Sequence, residues 1–515
     1  AGCASVIGAL RLLWPLRPQG RSRSFQGRSV IKNPPNAKIC DAYVVGSVLG
    51  AGVYGTVSLA TGKHCGRKCV VKVVDTHGMG DRSAVYTEVA LHAELDHPHI
   101  VRVYESFMSR FKSLYIVMEM CSGGDLLEKL EEVSFFNESD GRVVFEQIMS
   151  AVHYLHRRGL AHRDLKLENC LLTKKDVAPW EMDIKLIDFG MMARFVPGSR
   201  SMRTQCGSRG YTAPEVFLGP YDEKCDIFSC GAMLYMMLCG RMPFKDDEEV
   251  RAKEVAFLPD DAASLSADAV SLIKRALCKD PISRLSAPEI LDLDWIRASG
   301  PVSTLRRAMS SKNVMTSLRS YTDLSDVEKA SMYHVAYNVA DMDFADIREA
   351  FKEMDMDSDG VLTLEDLRAH GKELFGTDAS EAIAQFAGLD QGRGMEYTDF
   401  LAAMLHLRDD LPETAYRAAF RALDADGDGS VSVHDIMGSK APRLAKAPEL
   451  DVDGAQSALS YAQFKALVSS PRLSSREVRP ASGLEVPMLK TRGSELAAAV
   501  GRADPQDILK RGLGA

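Results

Sequence analysis

The run His162-Arg163-Asp164-Leu165-Lys166-Leu167-Glu168-Asn169, with Asp188-Phe189-Gly190 beginning 24 residues beyond Asp164, constrains this chain more than any other segment. An Asp, a Lys two positions later, an Asn five positions later and a second Asp ahead of Phe-Gly are the groups that phosphoryl-transfer chemistry needs. They orient a hydroxyl and take its proton, neutralise the moving phosphoryl group and hold divalent metal. About two hundred residues further on lie two acidic loops, Asp355-Met356-Asp357-Ser358-Asp359-Gly360 and Asp424-Ala425-Asp426-Gly427-Asp428-Gly429. Oxygen-bearing residues at every second position before a Gly suit a hard cation. Covalent linkage of the two sets predicts chemistry under the control of a cation switch.

A chain of 515 residues has room for two to four domains. Its net charge of −8 argues against nucleic acid as a partner. The acidity is concentrated: residues 341–470 hold 26 Asp and Glu against 12 Lys and Arg. Eleven cysteines are scattered without a CxxC pair, which reads as reduced thiols rather than a zinc site. The longest apolar run, Cys230 to Cys239, is too short to span a bilayer and reads as a buried helix. Residues 1–42 form a basic extension, with seven Arg and Lys and no acid up to residue 40. That composition fits a disordered tail and an organelle-targeting segment alike. Gly2-Cys3 invites a lipid, but Val6 stands where the acylation pattern wants Ser or Thr.

Val44 to Leu59 reads as strand, tight turn, strand. Leu49, Gly50, Ala51, Gly52, Val53, Gly55 and Val57 make a turn whose glycines let the backbone close over phosphates and aim its N–H groups at them. The same letters serve dinucleotide folds, but here a second strand follows rather than a helix. Cys69 to Val74 is a β-rich run with Lys72 inside it. Lys72 is expected to hold the α- and β-phosphates and pair with Glu88, at the start of a helical stretch running to Leu95. The plain alternative is an edge-strand Lys in solvent. Leu114 to Met120 is a buried strand running into a linker; on the phosphoryl-transfer reading the linker's backbone groups, at Met118 and Glu119, would hold the adenine and Asp125 would face the ribose.

Residues 43–296 resemble a protein kinase domain throughout. Ala213-Pro214-Glu215 matches the end of the activation segment, Asp226 the buried Asp of the central helix, and Arg284 the Arg that pairs with Glu215. Lys166 marks the Ser/Thr-specific class. The resemblance implies ATP and Mg²⁺ as cofactors, with Asp164, Lys166, Lys72 and Glu88 catalytic and Asn169 and Asp188 on Mg²⁺. All are present, so a dead kinase is not expected. Two departures stand out: Leu167 replaces the usual Pro, and Gly207-Ser208-Arg209-Gly210 differs from the commoner G-T-P-x, which leaves the residue preference after the phosphosite open. Arg163 can pair with a phosphate on the activation loop, with Thr204 the candidate. Equally, Thr204 stays unmodified.

The junction, 297–342, is Ser-rich and basic at its start, and Leu305, Met309, Leu318, Leu324, Val327, Met332, Val335 and Val339 fall near helical spacing. Arg307-x-x-Ser310 looks like a basic-directed kinase substrate, placed either to occupy the chain's own substrate cleft or to be autophosphorylated. An amphipathic linker that merely packs is the bland alternative.

In residues 343–470 the pattern Phe351-Lys352-Glu353-Met354-Asp355 returns as Phe420-Arg421-Ala422-Leu423-Asp424. Asp355, Asp357, Asp359, the Val361 carbonyl and Asp366 are the candidate Ca²⁺ ligands of the first loop, and Asp424, Asp426, Asp428, Ser430 and Asp435 those of the second. Asp366 and Asp435 stand where a bidentate Glu is usual. One methylene shorter, they should weaken Ca²⁺ and narrow its advantage over Mg²⁺. Solvated acidic turns are the alternative. Tyr397-Thr398-Asp399-Phe400 and Tyr461-Ala462-Gln463-Phe464 end two degenerate copies not expected to hold metal, giving four EF-hands in two pairs.

Kinase, junction and four EF-hands in this order resemble the calcium-dependent protein kinases of plants and protists. The fold class expected is α+β: a bilobal kinase fold followed by an all-α EF-hand domain of two paired lobes, with a tail at 471–515. The activity implied is ATP-dependent phosphorylation of Ser/Thr in proteins with nearby basic residues, released by Ca²⁺ through an intramolecular contact of junction and kinase. A cytoplasmic monomer is expected, with membrane association unsupported. Two rivals are a Ca²⁺-independent or phosphorylation-controlled kinase with structural EF-hands, and a calcium-responsive scaffold that only binds nucleotide.

Overall fold

The computed structural model describes residues 38–52, 55–76, 83–108, 113–178, 181–297, 311–339, 344–363, 365–367, 394–408, 410–424, 427–432, 435 and 458–469. Val53, Arg307, Ser310, Asp426, the first halves of the loops of both degenerate EF-hand copies and the tail lie outside them. Among the described residues no helix is long and apolar enough to cross a membrane.

Strands β1 (Tyr43–Gly52), β2 (Gly55–Gly62), β3 (Lys68–Asp75), β4 (Val103–Met108) and β5 (Ser113–Met118) form an antiparallel sheet in the order β1-β2-β3-β5-β4. The Val-rich β3 suits a pleated, half-buried surface. Its register sets Lys72 opposite Val57 on β2 and Ile116 on β5, inside the sheet rather than on an edge. Helix α1 (Ser83–Ala93) begins five residues before Glu88 and buries Val85, Val89 and Ala93 with Val103, Leu114 and Ile116. A helical turn, Ile39–Ala42, falls at the end of the stretch expected to be disordered. Ala42 is buried, and its carbonyl accepts from Lys63 N at 2.9 Å, which anchors the turn.

The second lobe is helical. Helix α2 (Leu126–Val133) opens on a capping box in which Asp125 and Glu128 satisfy each other's backbone. Helix α3 (Glu138–Arg157) and the almost wholly buried α4 (Lys224–Cys239) run through the main core. Arg284 and Glu215 are both buried and joined by two bonds of 2.5 and 3.0 Å, the bidentate geometry that makes a desolvated charge pair tolerable.

Helices α5 (Ser311–Thr322) and α6 (Asp326–Asn338) precede α7 (Ala345–Met354), α8 (Tyr397–Leu405), α9 (Glu413–Leu423) and α10 (Tyr461–Ser469). Val314 and Leu318 of α5 and Met332 and Val335 of α6 share one apolar core with Phe351, Phe400, Phe420 and Phe464. The region read as all-α also contains strands. β6 (Val361–Leu362) pairs with β7 (Met395–Glu396), and β8 (Ser430–Ser432) with β9 (Ala458–Ser460). Each acidic loop thus lends its extended residues to the end of a degenerate copy, pairing backbone groups across the two.

This helical unit packs on the two lobes. The Tyr337 hydroxyl donates to Val103 O at 2.6 Å, and Arg102 donates to Ala336 O at 3.3 Å and Thr398 Oγ1 at 3.4 Å. Lys352 pairs with Glu146 at 2.8 Å, Arg348 with Asp183 at 3.1 Å and Arg158 with Glu396 at 2.5 Å.

Candidate active site and cation-binding loops

Helix α4 holds the catalytic loop through one buried carboxylate. Asp226 accepts from His162 N at 2.9 Å, Arg163 N at 2.8 Å and His156 Nε2 at 2.9 Å. Burial raises its carboxyl, but the bonds and charge it receives outweigh that and hold it below the ordinary value. This grip lets Arg163 adopt φ 69°, a conformation unusual for a side chain. Asn169 Nδ2 then donates to Asp164 O at 2.7 Å and Oδ2 at 3.2 Å. Lys166 Nζ lies 3.2 Å from Asp164 Oδ2 and 2.8 Å from Ser208 Oγ, and the Ser208 hydroxyl donates to Asp164 Oδ1 at 2.7 Å. Ser208 thus ties the segment after Thr204 to Asp164 and Lys166 through its hydroxyl.

Lys72 Nζ reaches Asp188 Oδ1 at 2.7 Å. A Cβ added at Gly190 would lie 3.4 Å from Asp188 Oδ1 and 3.6 Å from Glu88 Oε1, so both carboxylates converge on one spot near Lys72. Burial pushes Glu88 up to about 7, with Lys72 pulling down and Asp188 pushing up. Asp188 is also raised by burial, but the Lys72 charge and bond bring it below its ordinary value. The aim of Asp188 is fixed by its neighbour: Phe189 is buried between His92 and His162, with ring centroids 4.3 and 4.9 Å away. His92 Nε2 is 2.9 Å from Val101 O, and burial lowers its pKa to about 4, so the ring sits neutral in the stack.

Glu119 lies in the linker expected to hold adenine through backbone groups. Its carboxylate turns outward to Lys185 at 3.2 Å and Arg102 N at 3.2 Å, which leaves only its backbone to face the cleft. Val57 and Met118 are half-buried, and Leu49 and Ala51 are exposed, on the strands that bracket that cleft with Gly50, Gly52 and Gly55. Asp125 sits at the α2 cap. Arg163 is not left free for a phosphate on Thr204. Its Nε donates to Met191 O at 2.6 Å and Nη1 to the Tyr221 hydroxyl at 3.0 Å, and that hydroxyl donates to Thr204 O at 2.5 Å. Tyr221 thus ties Arg163 to the activation segment through a neutral bridge, a link no motif in the sequence announced.

In the first acidic loop, ligand atoms of Asp355, Asp357 and Asp359 lie within 4.8 Å of one another. Asp355 and Asp359 are buried and raised above the ordinary carboxylate value, burial being the largest cause and neighbouring loop carboxylates adding to it. Two buried acids and an exposed third, converging on one point, fit a hard divalent cation, which would remove that repulsion. Gly360 takes φ 78° at the turn. Asp366 accepts from Met356 N at 3.1 Å and Thr363 N at 2.7 Å, holding the end of the loop to its start. The second loop repeats the plan in a more exposed setting. Asp424 accepts from Gly427 N at 2.8 Å and Gly429 N at 3.1 Å, Asp428 from Ser430 N at 2.7 Å, and Asp435 from Ser432 N at 2.8 Å.

Fold and cleft define a protein kinase joined to EF-hands, and comparison with known proteins agrees. Residues 43–296 match the protein kinase domain family, and 347–369 and 417–437 match the EF-hand family. Calcium-dependent protein kinase 15 of Oryza sativa subsp. japonica is 31% identical over 88% of this chain and 86% of its own. Calcium-dependent protein kinase 3 of Plasmodium berghei (strain Anka) is 32% identical over 75% of this chain and 70% of its own, and calcium-dependent protein kinase 17 of Arabidopsis thaliana 31% over 84% of each. The chain belongs to the calcium-dependent protein kinase family. It is a calcium-regulated serine/threonine protein kinase that uses ATP and Mg²⁺ for phosphoryl transfer and Ca²⁺ for control.

Proposed function

We propose that this conformation is the released one, in which the EF-hand unit grips the junction and keeps it away from the substrate cleft. The observation that carries this is the burial of α5 and α6 in the EF-hand core, with Val314, Leu318, Val335 and Ala336 each at most 1% exposed. Helices so enclosed do not also fill a cleft. The assembled Lys72, Glu88 and Asp188 cluster and the inward Phe189 support the same reading.

In this reading Asp164 orients the substrate hydroxyl and accepts its proton, and Lys166 steadies the transferred group. Lys72, positioned by Glu88, holds the nucleotide phosphates under the Gly50, Gly52 and Gly55 flap. Asn169 and Asp188 hold Mg²⁺, which supplies charge neutralisation on the phosphates when bound. Ca²⁺ is held by Asp355, Asp357, Asp359, Val361 O and Asp366 and by the matching set from Asp424 to Asp435. Activity does not require a phosphate on Thr204, because Tyr221 already occupies Arg163. The enzyme acts as a cytoplasmic monomer on proteins with Arg near the target Ser or Thr, met by Asp125, Glu128 and Glu168.

The test is phosphate transfer to an Arg-x-x-Ser peptide in millimolar Mg²⁺, with micromolar free Ca²⁺ or a chelator. A large rise with Ca²⁺ that is abolished by Val335→Asp and Leu318→Asp, which eject the junction from the EF-hand core, is the expected result. Full Ca²⁺ stimulation in those variants would overturn the grip.

A further inference from the structure

The first acidic loop is in direct contact with the catalytic domain. Arg157, the last residue of α3, places Nη2 2.8 Å from Asp359 Oδ2. The other oxygen of that carboxylate, Oδ1, already accepts from Val361 N at 2.9 Å, the bond that shapes the turn. Oδ2 is therefore the oxygen left to face a cation, and a guanidinium stands on it. The Asp359 side chain is 5% exposed, whereas that of Arg157 is 59% exposed, so the Arg retracts into water easily and the Asp does not. The loop is also pressed closely on α3. A Cβ at Gly360 would lie 2.7 Å from the Tyr154 ring and 2.9 Å from the His97 ring. Arg158, next to Arg157 in the chain, and Lys352 of α7 are paired with Glu396 and Glu146.

We propose that Arg157 is a kinase-domain component of the first cation site: its guanidinium occupies the Asp359 oxygen that Ca²⁺ requires, and the two cations compete for it. Binding of Ca²⁺ then releases Arg157 to solvent, and the guanidinium raises the Ca²⁺ level at which the first loop fills. The inference rests on the reading of Asp355, Asp357 and Asp359 as Ca²⁺ ligands. It adds a regulator that neither the loop pattern nor the kinase motifs contain, because Arg157 belongs to a different domain from the site it tunes.

The experiment is calorimetric titration of CaCl₂ into the full chain with the second loop silenced by Asp424→Ala and Asp428→Ala. Arg157→Gln in this background should tighten the first-loop Kd about fivefold, the scale of a partly exposed ion pair. Lys352→Gln removes the same charge from the neighbouring helix and should change it less than twofold. An unchanged Kd in Arg157→Gln, or equal tightening in the two variants, overturns direct competition while leaving Ca²⁺ binding intact. Absence of first-loop binding in the background chain and in Arg157→Gln alike overturns the ligand reading itself, and this inference with it.

Discussion

Thr398 and Asp96, 302 residues apart in the chain, are joined by two hydrogen bonds: Thr398 Oγ1 donates to Asp96 Oδ1 at 2.6 Å and Thr398 N to Asp96 Oδ2 at 3.0 Å. Both residues are buried. Asp96 belongs to the segment that follows α1, and Thr398 to the start of α8, so the pair pins the EF-hand unit beside the helix that carries Glu88. Thr398→Val keeps the shape and removes the hydroxyl donor. A buried acceptor left short of a partner costs about 1–3 kcal/mol. The expected outcome is faster hydrogen exchange in residues 94–103 and in α8, with Ca²⁺-stimulated kcat/KM reduced about tenfold. Wild-type exchange and activity would show that the pair does not contribute to docking.

Asp164→Asn keeps the size of the side chain and its bond to Ser208 but removes the proton acceptor. General base catalysis is worth about 10²–10⁴ in rate. Single-turnover phosphate transfer should slow by that factor, with ATP affinity unchanged by nucleotide titration. A loss below tenfold would move the base elsewhere.

Asp366→Glu with Asp435→Glu restores the longer carboxylate at the end of each loop. A second oxygen on the ion should tighten Ca²⁺ about tenfold and leave Mg²⁺ little changed, since octahedral Mg²⁺ gains nothing from bidentate reach. Titration with each metal reads both effects. Equal gains for the two would mean that the added methylene merely relaxes the loop.

Stability should fall in mild acid. Burial holds His92 and His153 at about 4, and His97 and His99 well below their ordinary value. An unfolded chain takes up protons on these rings from about pH 6.5 downwards while the folded chain does not. Their contribution is complete above about pH 6.5 and is lost as the pH falls towards 4. Denaturation midpoints should drop across that window, and His92→Leu should flatten part of the drop by about 1–3 kcal/mol. A midpoint flat from pH 7 to 4.5 would show that these rings are protonated in place.

The catalytic cluster was legible in the sequence because the residues that do chemistry sit in short, fixed spacings: Asp164, Lys166 and Asn169 within one turn of loop, Gly50 to Gly55 within one hairpin. The acidic loops were legible for the same reason. Strands β6 to β9 were not, since two- or three-residue segments leave no periodicity to read. Nor were Arg102, Asp96 and Arg157, which look like ordinary surface charges until a second domain, hundreds of residues later, folds against them. Arg163 was read as a cation able to meet a phosphate on Thr204. Its guanidinium donates to Met191 O and to the Tyr221 hydroxyl, and nothing in the 58-residue spacing to Tyr221 signals that contact.

Arg102 touches both the linker that carries Glu119 and the EF-hand unit at Ala336 and Thr398. One residue thus touches both the segment that borders the nucleotide cleft and the docked sensor. Linkage makes such sharing symmetric: whatever factor docking imposes on ATP affinity, ATP returns to docking, and through docking to the metal. If docking shifts ATP affinity through Arg102, the calcium level at which this kinase responds must shift with the nucleotide it holds.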